Sequence, residues 1–439
     1  MKTAAPLALS AALLAAPLGS AAPLVRTVVT VDQLESSGVA GSNPVPVFGR
    51  FDGEEALFLN TLAGDRLLRA SVGGGVALDV LFGETPAPDT GNPLLFGSDW
   101  GFVPGGFSAG SGEAFVLGGS RRTQPDGPLT GGVYTHAEPG DPLVTFVNED
   151  GGGLPNLPRR YAFGDGSGTS GFVLGFGTGA NEGAYLRVGG LTTRAAARGD
   201  AYLNAPGVTA QSFDGNRFDV GGRTLAAVIE GSDGRDRLTA VSPGNGGALR
   251  SLLAADDVIT DATGDRLRVN FFNGLVAEGA EAYARLSVED LDAPSRDDER
   301  EALVRVNLVT GAVEVLDRTD DRLGQLGGGF DFLRGGLATE GGTVAYQVSG
   351  EGQKDVFFAD GGGPQRLLGV GDDFLEGVLT DLDFVDGSLS GGELLFTGQY
   401  RLGDGTFRTG LFTAQVPEPA TGLFLLGLLA AGGRRRPTG

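Results

Sequence analysis

Carboxylates stand in pairs along this chain: Asp256-Asp257, Asp297-Asp298, Asp320-Asp321, Asp372-Asp373, and Asp381 with Asp383. Two carboxyl groups in one pocket, with their pKa values pushed apart, are what general acid–base chemistry requires. Several of these pairs, however, recur at one place in an internal repeat, near the end of a strand. A catalytic pair is needed only once, so recurrence predicts a structural role in turns. A denser segment, SVEDLDAPSRDDERE, carries Glu289, Asp290, Asp292, Asp297, Asp298 and Glu299. Carboxylate oxygens suit Ca2+, but the ligand spacing of a helix–loop–helix calcium site is missing. A solvated acidic loop is the expectation. No metal site and no cofactor is assigned; the acidic charge leaves cationic partners and divalent ions such as Ca2+ open.

Other chemistry-bearing residues are few. The single histidine, His136, lies between the strand-like Gly132-Val133-Tyr134-Thr135 and the turn-like Ala137-Glu138-Pro139-Gly140, so it reads as a loop histidine. A site with two histidine ligands cannot be built from one chain. A Ser-His-Asp triad would have to use His136, and no nucleophile elbow marks a partner for it. There is no cysteine, which excludes a thiol nucleophile, a disulfide framework and a thiolate metal site. FGDGSGTSG, from Phe163, is a Gly/Asp turn without the lysine of a phosphate-cradling loop. Trp100 could stack on a sugar ring, but packing between strands is the expectation. The net charge of -22 disfavours nucleic acid and anionic membrane surfaces as partners. No catalytic residue is assigned, and the chain is expected not to be an enzyme.

The elements that carry these residues are short strands. The 78 glycines and 22 prolines punctuate recurrent apolar runs rich in phenylalanine, a pattern of many strands joined by turns. A short motif, glycine or an acid followed by small or apolar residues and closing on an aromatic or its equivalent, recurs seven times. It ends at Phe58, Phe115, Phe172, Ala227, Tyr283, Tyr346 and Phe396, in steps of 57, 57, 55, 56, 63 and 50 residues. Each unit places an aromatic segment first, such as Phe271-Phe272 or Phe384, and the anchor strand second. A third strand follows, as in Leu238–Val241, Leu303–Val306, Val356–Phe358 and Leu411–Thr413. A fourth ends near an acid, as in residues 312–316 before Asp317 and 366–370 before Asp372. Four short strands per unit make a propeller blade. The last unit stops after three, and residues 25–31, ending at Asp32, look like the missing fourth. The expectation is an all-β, seven-bladed β-propeller of about 56-residue repeats, closed by this N-terminal strand, which hides sheet edges that would otherwise invite aggregation.

Both ends read as addresses. Lys2, an Ala/Leu-rich run and the small residues Gly19, Ser20, Ala21 and Ala22 have the layout of a secretory signal peptide. At the other end, residues 420–433 are uncharged and shorter than the roughly 20 residues that span a bilayer. Arg434, Arg435 and Arg436 follow, a basic cluster that stops transfer with the C-terminus inside. Upstream, Pro417 and Pro419 keep Val416–Pro419 extended, in a form that a processing enzyme can grip.

This tail closely resembles the PEP-CTERM sorting signal. Pro417, Glu418 and Pro419 match the motif residues, Leu426, Gly427 and Leu428 match its short apolar helix, and Arg434–Arg436 match its basic end. The resemblance implies an exosortase as partner, transient anchoring in the inner membrane, and release or transfer to the cell surface of an exopolysaccharide-making bacterium. The repeat also resembles the tandem NxxGxxAF family of bacterial surface proteins: its glycine falls on Gly168, Gly279, Gly342 and Gly392 and its alanine on Ala114, Ala226, Ala282 and Ala345, while the asparagine is absent from all seven units. The expected organisation is a signal peptide over 1–22, a repeat domain over 23–415 and a sorting signal with a short hydrophobic helix over 416–439. A structural or binding role in the envelope or exopolysaccharide is the expected function. Carbohydrate binding, or a carbohydrate hydrolase or lyase on the same scaffold, are the alternatives.

Overall fold

The computed structural model describes residues 23–38, strands and adjoining turns within 44–176, and most of residues 182–417; the ends 1–22 and 418–439 and several connecting segments lie outside the described residues. The chain is all-β, and one short helix is present among the described residues. Those residues form seven antiparallel sheets that follow one another along the chain.

Each of the seven anchors lies on a different sheet, on a strand flanked by the strand before it and the strand after it. These strands are Glu55–Asn60, Phe115–Arg122, Ser170–Phe176, Thr224–Gly231, Glu281–Asp290, Thr343–Gly350 and Glu393–Leu402. The fourth sheet shows why such a sequence becomes a strand buried on both faces. In TLAAVIEG, Leu225, Ala227 and Ile229 pack toward the third sheet, while Ala226 and Val228 pack toward the fifth. A period of two sends alternate side chains to opposite faces, and an almost continuous apolar run results when both faces are covered.

The core therefore lies between successive sheets. Tyr283, Leu303, Tyr346 and Phe357 fill the space between the fifth and sixth. Phe358, Phe374, Phe396 and Phe412 fill that between the sixth and seventh, where the Phe374 and Phe412 rings meet edge-to-face at 5.0 Å. Such a ring pair contributes about 0.5–1.5 kcal/mol beyond its burial. Val29, Leu34, Phe58, Leu395 and Leu411 join the seventh sheet to the first. The strand Val25–Thr30 pairs antiparallel with Phe407–Gln415, with Val25 opposite Ala414 and Thr30 opposite Gly410, and so adds an N-terminal strand to the C-terminal sheet.

Two expectations are corrected. The first concerns Tyr283. Two-residue hairpins at Gly279-Ala280, Gly341-Gly342 and Gly391-Gly392 precede three of the anchor strands. Counted from these turns, the position of Tyr346 and Phe396 is taken in the fifth sheet by Ala284, and Tyr283 is one residue early. A shift of one residue reverses the face. Tyr283 accordingly packs toward the following sheet, whereas Phe58, Ala227, Tyr346 and Phe396 pack toward the preceding one. The second concerns Asp32, which is not the terminal acid of a strand. It lies in the first turn of a helix, Val31–Ser36, opened by a capping box between Thr30 and Gln33 and held down by the fully buried Leu34.

Candidate functional site

The sorting segment leaves the fold at the end of strand Phe407–Gln415. The Gln415 N–H donates to the Leu24 carbonyl at 3.0 Å, and the Val416 N–H donates to the Gly392 carbonyl at 2.8 Å. Val416 is buried in the core between the sixth and seventh sheets, and Pro417, the next residue, is exposed. Among the described residues the apolar Val416 is thus the last secured position, and the imide nitrogen of Pro417 cannot extend the ladder. No linker separates body from motif. Of the predicted motif residues the structure places Pro417 alone; Glu418, Pro419 and Arg434, Arg435 and Arg436, with the expected C-terminal helix, lie outside the described residues, as does the signal peptide. Among the described residues no helix is long and apolar enough to cross a membrane.

Val416 joins a row of hairpin turns. The Glu278 carboxylate accepts from the Gly341 N–H at 2.7 Å and the Gly342 N–H at 3.2 Å. One sheet later, the Glu340 carboxylate accepts from Gly391 and Gly392 at 2.8 and 2.9 Å. Gly341 and Gly342 have φ of 61° and 82°, and Gly391 and Gly392 have 62° and 71°. These left-handed pairs turn their N–H groups outward as an anion-binding concavity. Gly53 abuts Gly391, and Gly221 abuts Gly279. The turns before the anchor strands of the fourth to seventh sheets, and Gly53 of the first, therefore lie side by side at one end of the molecule. Sequence inspection missed these inter-sheet contacts, although a glutamate directly before a Gly-Gly or Gly-Ala turn was visible at 278 and 340.

The opposite end carries the paired acids. The Asp257 carboxylate accepts from the Ala254 N–H, and Asp372 accepts from the Gly369 N–H, each at 2.8 Å. Arg235 and Arg366 hold these same carboxylates at 2.8 and 3.0 Å. Asp381 and Asp383 flank Lys354 at 2.8 and 2.9 Å. Burial pulls the Lys354 ammonium down, but its bonds to the two carboxylates prevail and leave it above the ordinary lysine value. In the acidic segment, Glu289 meets Arg268 at 3.2 Å, Asp290 meets Arg300 at 2.7 Å and Asp292 meets Arg266 at 2.8 Å. Asp297, Asp298, Glu299, Asp320 and Asp321 lie outside the described residues. Among the described residues no cluster of three or more metal-ligating side chains forms.

His136 is the last residue of strand Leu129–His136, opposite Phe115, rather than a loop residue. Trp100 and residues 163–169 lie outside the described residues. A shallow cleft of about 720 Å³ lies between two turns of the seventh sheet, lined by Asp373, Leu375, Glu376, Val378 and Arg401 among others. Leu375 there has φ of 51° and is half exposed, a left-handed conformation uncommon for a bulky residue.

Residues 415–436 match the PEP-CTERM protein-sorting motif. No curated protein matches the chain. Among solved structures it is similar to an ancestral GH74 enzyme, at TM-score 0.44 and 11% identity, over 86% of this chain and 48% of that one. It is similar to the WD40 domain of Toxoplasma gondii coronin at TM-score 0.38 and 11% identity, over 91% and 89% of the two chains. The β-propeller domain of the Trilobed protease from Pyrococcus furiosus gives TM-score 0.33 and 7% identity, over 74% and 97%. The chain spans about half the length of the GH74 enzyme. Likenesses this remote assign no activity.

Proposed function

We propose that this chain is a surface-sorted protein whose seven sheets are the blades of a β-propeller closed by Val25–Thr30, and whose body has a structural or binding role in the envelope or exopolysaccharide matrix. The sorting motif over 415–436 carries the proposal; by its nature it implies handling by an exosortase and delivery to the cell surface. The junction supports it: the matched motif starts at Gln415, the last residue of the strand Phe407–Gln415, so the described sheets all precede it as cargo. A signal peptide over 1–22 supplies export, and Arg434–Arg436 hold the tail at the inner membrane until it is processed.

We favour binding over catalysis because Asp257, Asp372, Asp381 and Asp383 are occupied by backbone amides, arginine or lysine. General acid–base work needs a carboxyl group that exchanges its proton with substrate. The test of the proposal is mass spectrometry of the native C-terminus in separated cell fractions. A C-terminus at residues 417–419 on protein outside the cell supports it. Retention of Arg434–Arg436 on protein in the inner membrane overturns it in favour of a tethered periplasmic protein.

A further inference from the structure

The exit of the sorting segment fixes which end of the body opposes the membrane. Val416 is tied to Gly392, a member of the row formed by the turns Gly279-Ala280, Gly341-Gly342 and Gly391-Gly392, by Gly221 and Gly222 at the turn before the fourth sheet's anchor strand, and by Gly53. Between Val416 and the uncharged run that starts at Ala420 lie three residues, Pro417, Glu418 and Pro419. Fully extended, they reach about 10 Å. The anchor strand Glu393–Leu402 has ten residues, and it carries the chain about 30 Å from this row to the opposite end. A tether of three residues cannot pass around a body of that depth.

We infer that, while the tail is held in the bilayer, the row of glycine turns is the face laid against the lipid headgroups, and the end bearing Asp257, Asp372 and Leu375 points away. The partner is the surface of the bilayer that holds this chain's own tail. Two features of the row fit a close approach. Among the described residues its turns consist largely of glycine, and a Cβ added at Gly279, Gly341, Gly342 or Gly392 would meet open space, so few of the described side chains keep the surface at a distance. Its carboxylates at Glu278 and Glu340 are turned onto the neighbouring turns' N–H groups, which lowers their repulsion from headgroup phosphates. Leu24, exposed and apolar, lies beside Gln415 at the same exit.

The inference rests on the sorting proposal, and one experiment separates the two. The chain lacks cysteine, so single-cysteine variants Ala280→Cys and Glu54→Cys on the row, and Thr406→Cys on the far turn, each accept one fluorophore. All three positions are exposed. The full chain is reconstituted into zwitterionic vesicles whose acyl chains are brominated near the headgroup, with a chain ending at Pro417 as control. The expected result is loss of fluorescence at positions 280 and 54, none at 406, and none at any position in the control. Equal loss at 280 and 406 in vesicle-bound protein overturns the orientation and leaves the sorting proposal standing. Failure of the full chain to stay with vesicles overturns both. Inserting a long Gly/Ser spacer after Val416 is expected to abolish the loss at 280; persistence would overturn the tether as its cause.

Discussion

The Asp257 carboxylate accepts a hydrogen bond from the Ala254 N–H three residues back, at 2.8 Å. The same relation joins Asp372 to Gly369, Asp200 to Ala197, and, through an amide in place of an acid, Gln33 to Thr30. In the three aspartate cases the following sheet is drawn in as well. The residue before the aspartate donates its N–H to a carbonyl of a strand that pairs with that sheet's anchor strand, at Ala210, Val269 or Leu379, and the N–H of that strand residue donates back to the carbonyl of the aspartate. Each such acid therefore ends one sheet and fastens the next. Substituting Asp257 by alanine leaves the Ala254 N–H and Arg235 without this acceptor, at a cost of about 1–3 kcal/mol. Asparagine keeps an acceptor oxygen, and Asp257→Asn is expected to lose less. Urea denaturation of both variants checks the order.

The residue before each capping aspartate is left-handed. It is glycine at 199 and 371, with φ of 91° and 97°, but Asp256 in the fourth sheet, with φ of 67°. A side chain in this region costs about 1–2 kcal/mol, less for aspartate, which tolerates it. Asp256→Gly is expected to raise the melting temperature slightly, and Asp256→Val to lower it, because a β-branched residue adopts this conformation least readily. The exposed Asp256 ion pair with Arg235, at 3.8 Å, contributes little against this. A fall in melting temperature for Asp256→Gly would show that the pair outweighs the backbone.

The acid pairs illustrate what could be read from the amino-acid order. For Asp257 and Asp372 the place near the end of a fourth strand was legible, and so was the role in a turn, because a backbone cap is a local device with a fixed spacing of three residues; Asp381 and Asp383 lie instead on the strand Gly377–Asp383. The seven anchor strands were legible through the period of two and the glycine turns that start them. Tyr283 falls one residue out of step with the other anchors because equivalence is set by the turn and not by the aromatic ring, and GAEAY starts its strand one residue closer to the ring than GGTVAY does. The Glu278 and Glu340 contacts were not legible in the same way. They join residues 51 to 64 positions apart, and only the packing of neighbouring sheets decides that such residues meet. The exit at Val416 combined both kinds: the motif was plain in sequence, but its attachment to Gly392 is tertiary.

Asp355 gives a pH dependence with a definite sign. Its side chain is 1% exposed. Burial pushes its carboxyl group above the ordinary aspartate value; Arg366, at 2.8 Å, pulls it down without prevailing, and Asp372 adds a further upward push. The folded state thus holds this proton more tightly than the unfolded chain does. Its contribution to stability falls as pH rises from the ordinary aspartate range through the raised folded value, and the penalty is complete above that. Asp355→Asn is expected to be neutral or stabilising near pH 7, and this advantage should disappear on acidification below the ordinary aspartate range. Arg366 keeps Asp372 as partner in the variant. The check is the difference between wild-type and variant unfolding free energies measured across acid to neutral pH; a difference that does not change with pH would remove Asp355 as the source.

The N-terminal strand is expected to be needed for a monomeric body. Val28 and Val29 of Val25–Thr30 are both buried in the core between the seventh sheet and the first, and Arg26 reaches across to Glu393 on the anchor strand beyond its partner. Burying two valines contributes about 3–6 kcal/mol before the ladder hydrogen bonds are counted. Removing residues 23–30 also uncovers strand Phe407–Gln415, whose sequence FRTGLFTAQ then presents an unpaired, partly apolar edge. An edge of this kind recruits a strand from another chain. The truncated protein should therefore melt at a lower temperature and elute as dimers or larger species in size-exclusion chromatography. A synthetic peptide covering residues 23–30, added in excess, should restore the monomer by re-forming the register in which Val25 faces Ala414. A truncated protein that stays monomeric with unchanged melting would mean that Phe407–Gln415 needs no cover. The same strand supports the exit at Val416, because the Gln415 N–H loses the Leu24 carbonyl with it; limited proteolysis of the truncated full-length chain should then cut upstream of Pro417, at positions protected in the intact protein.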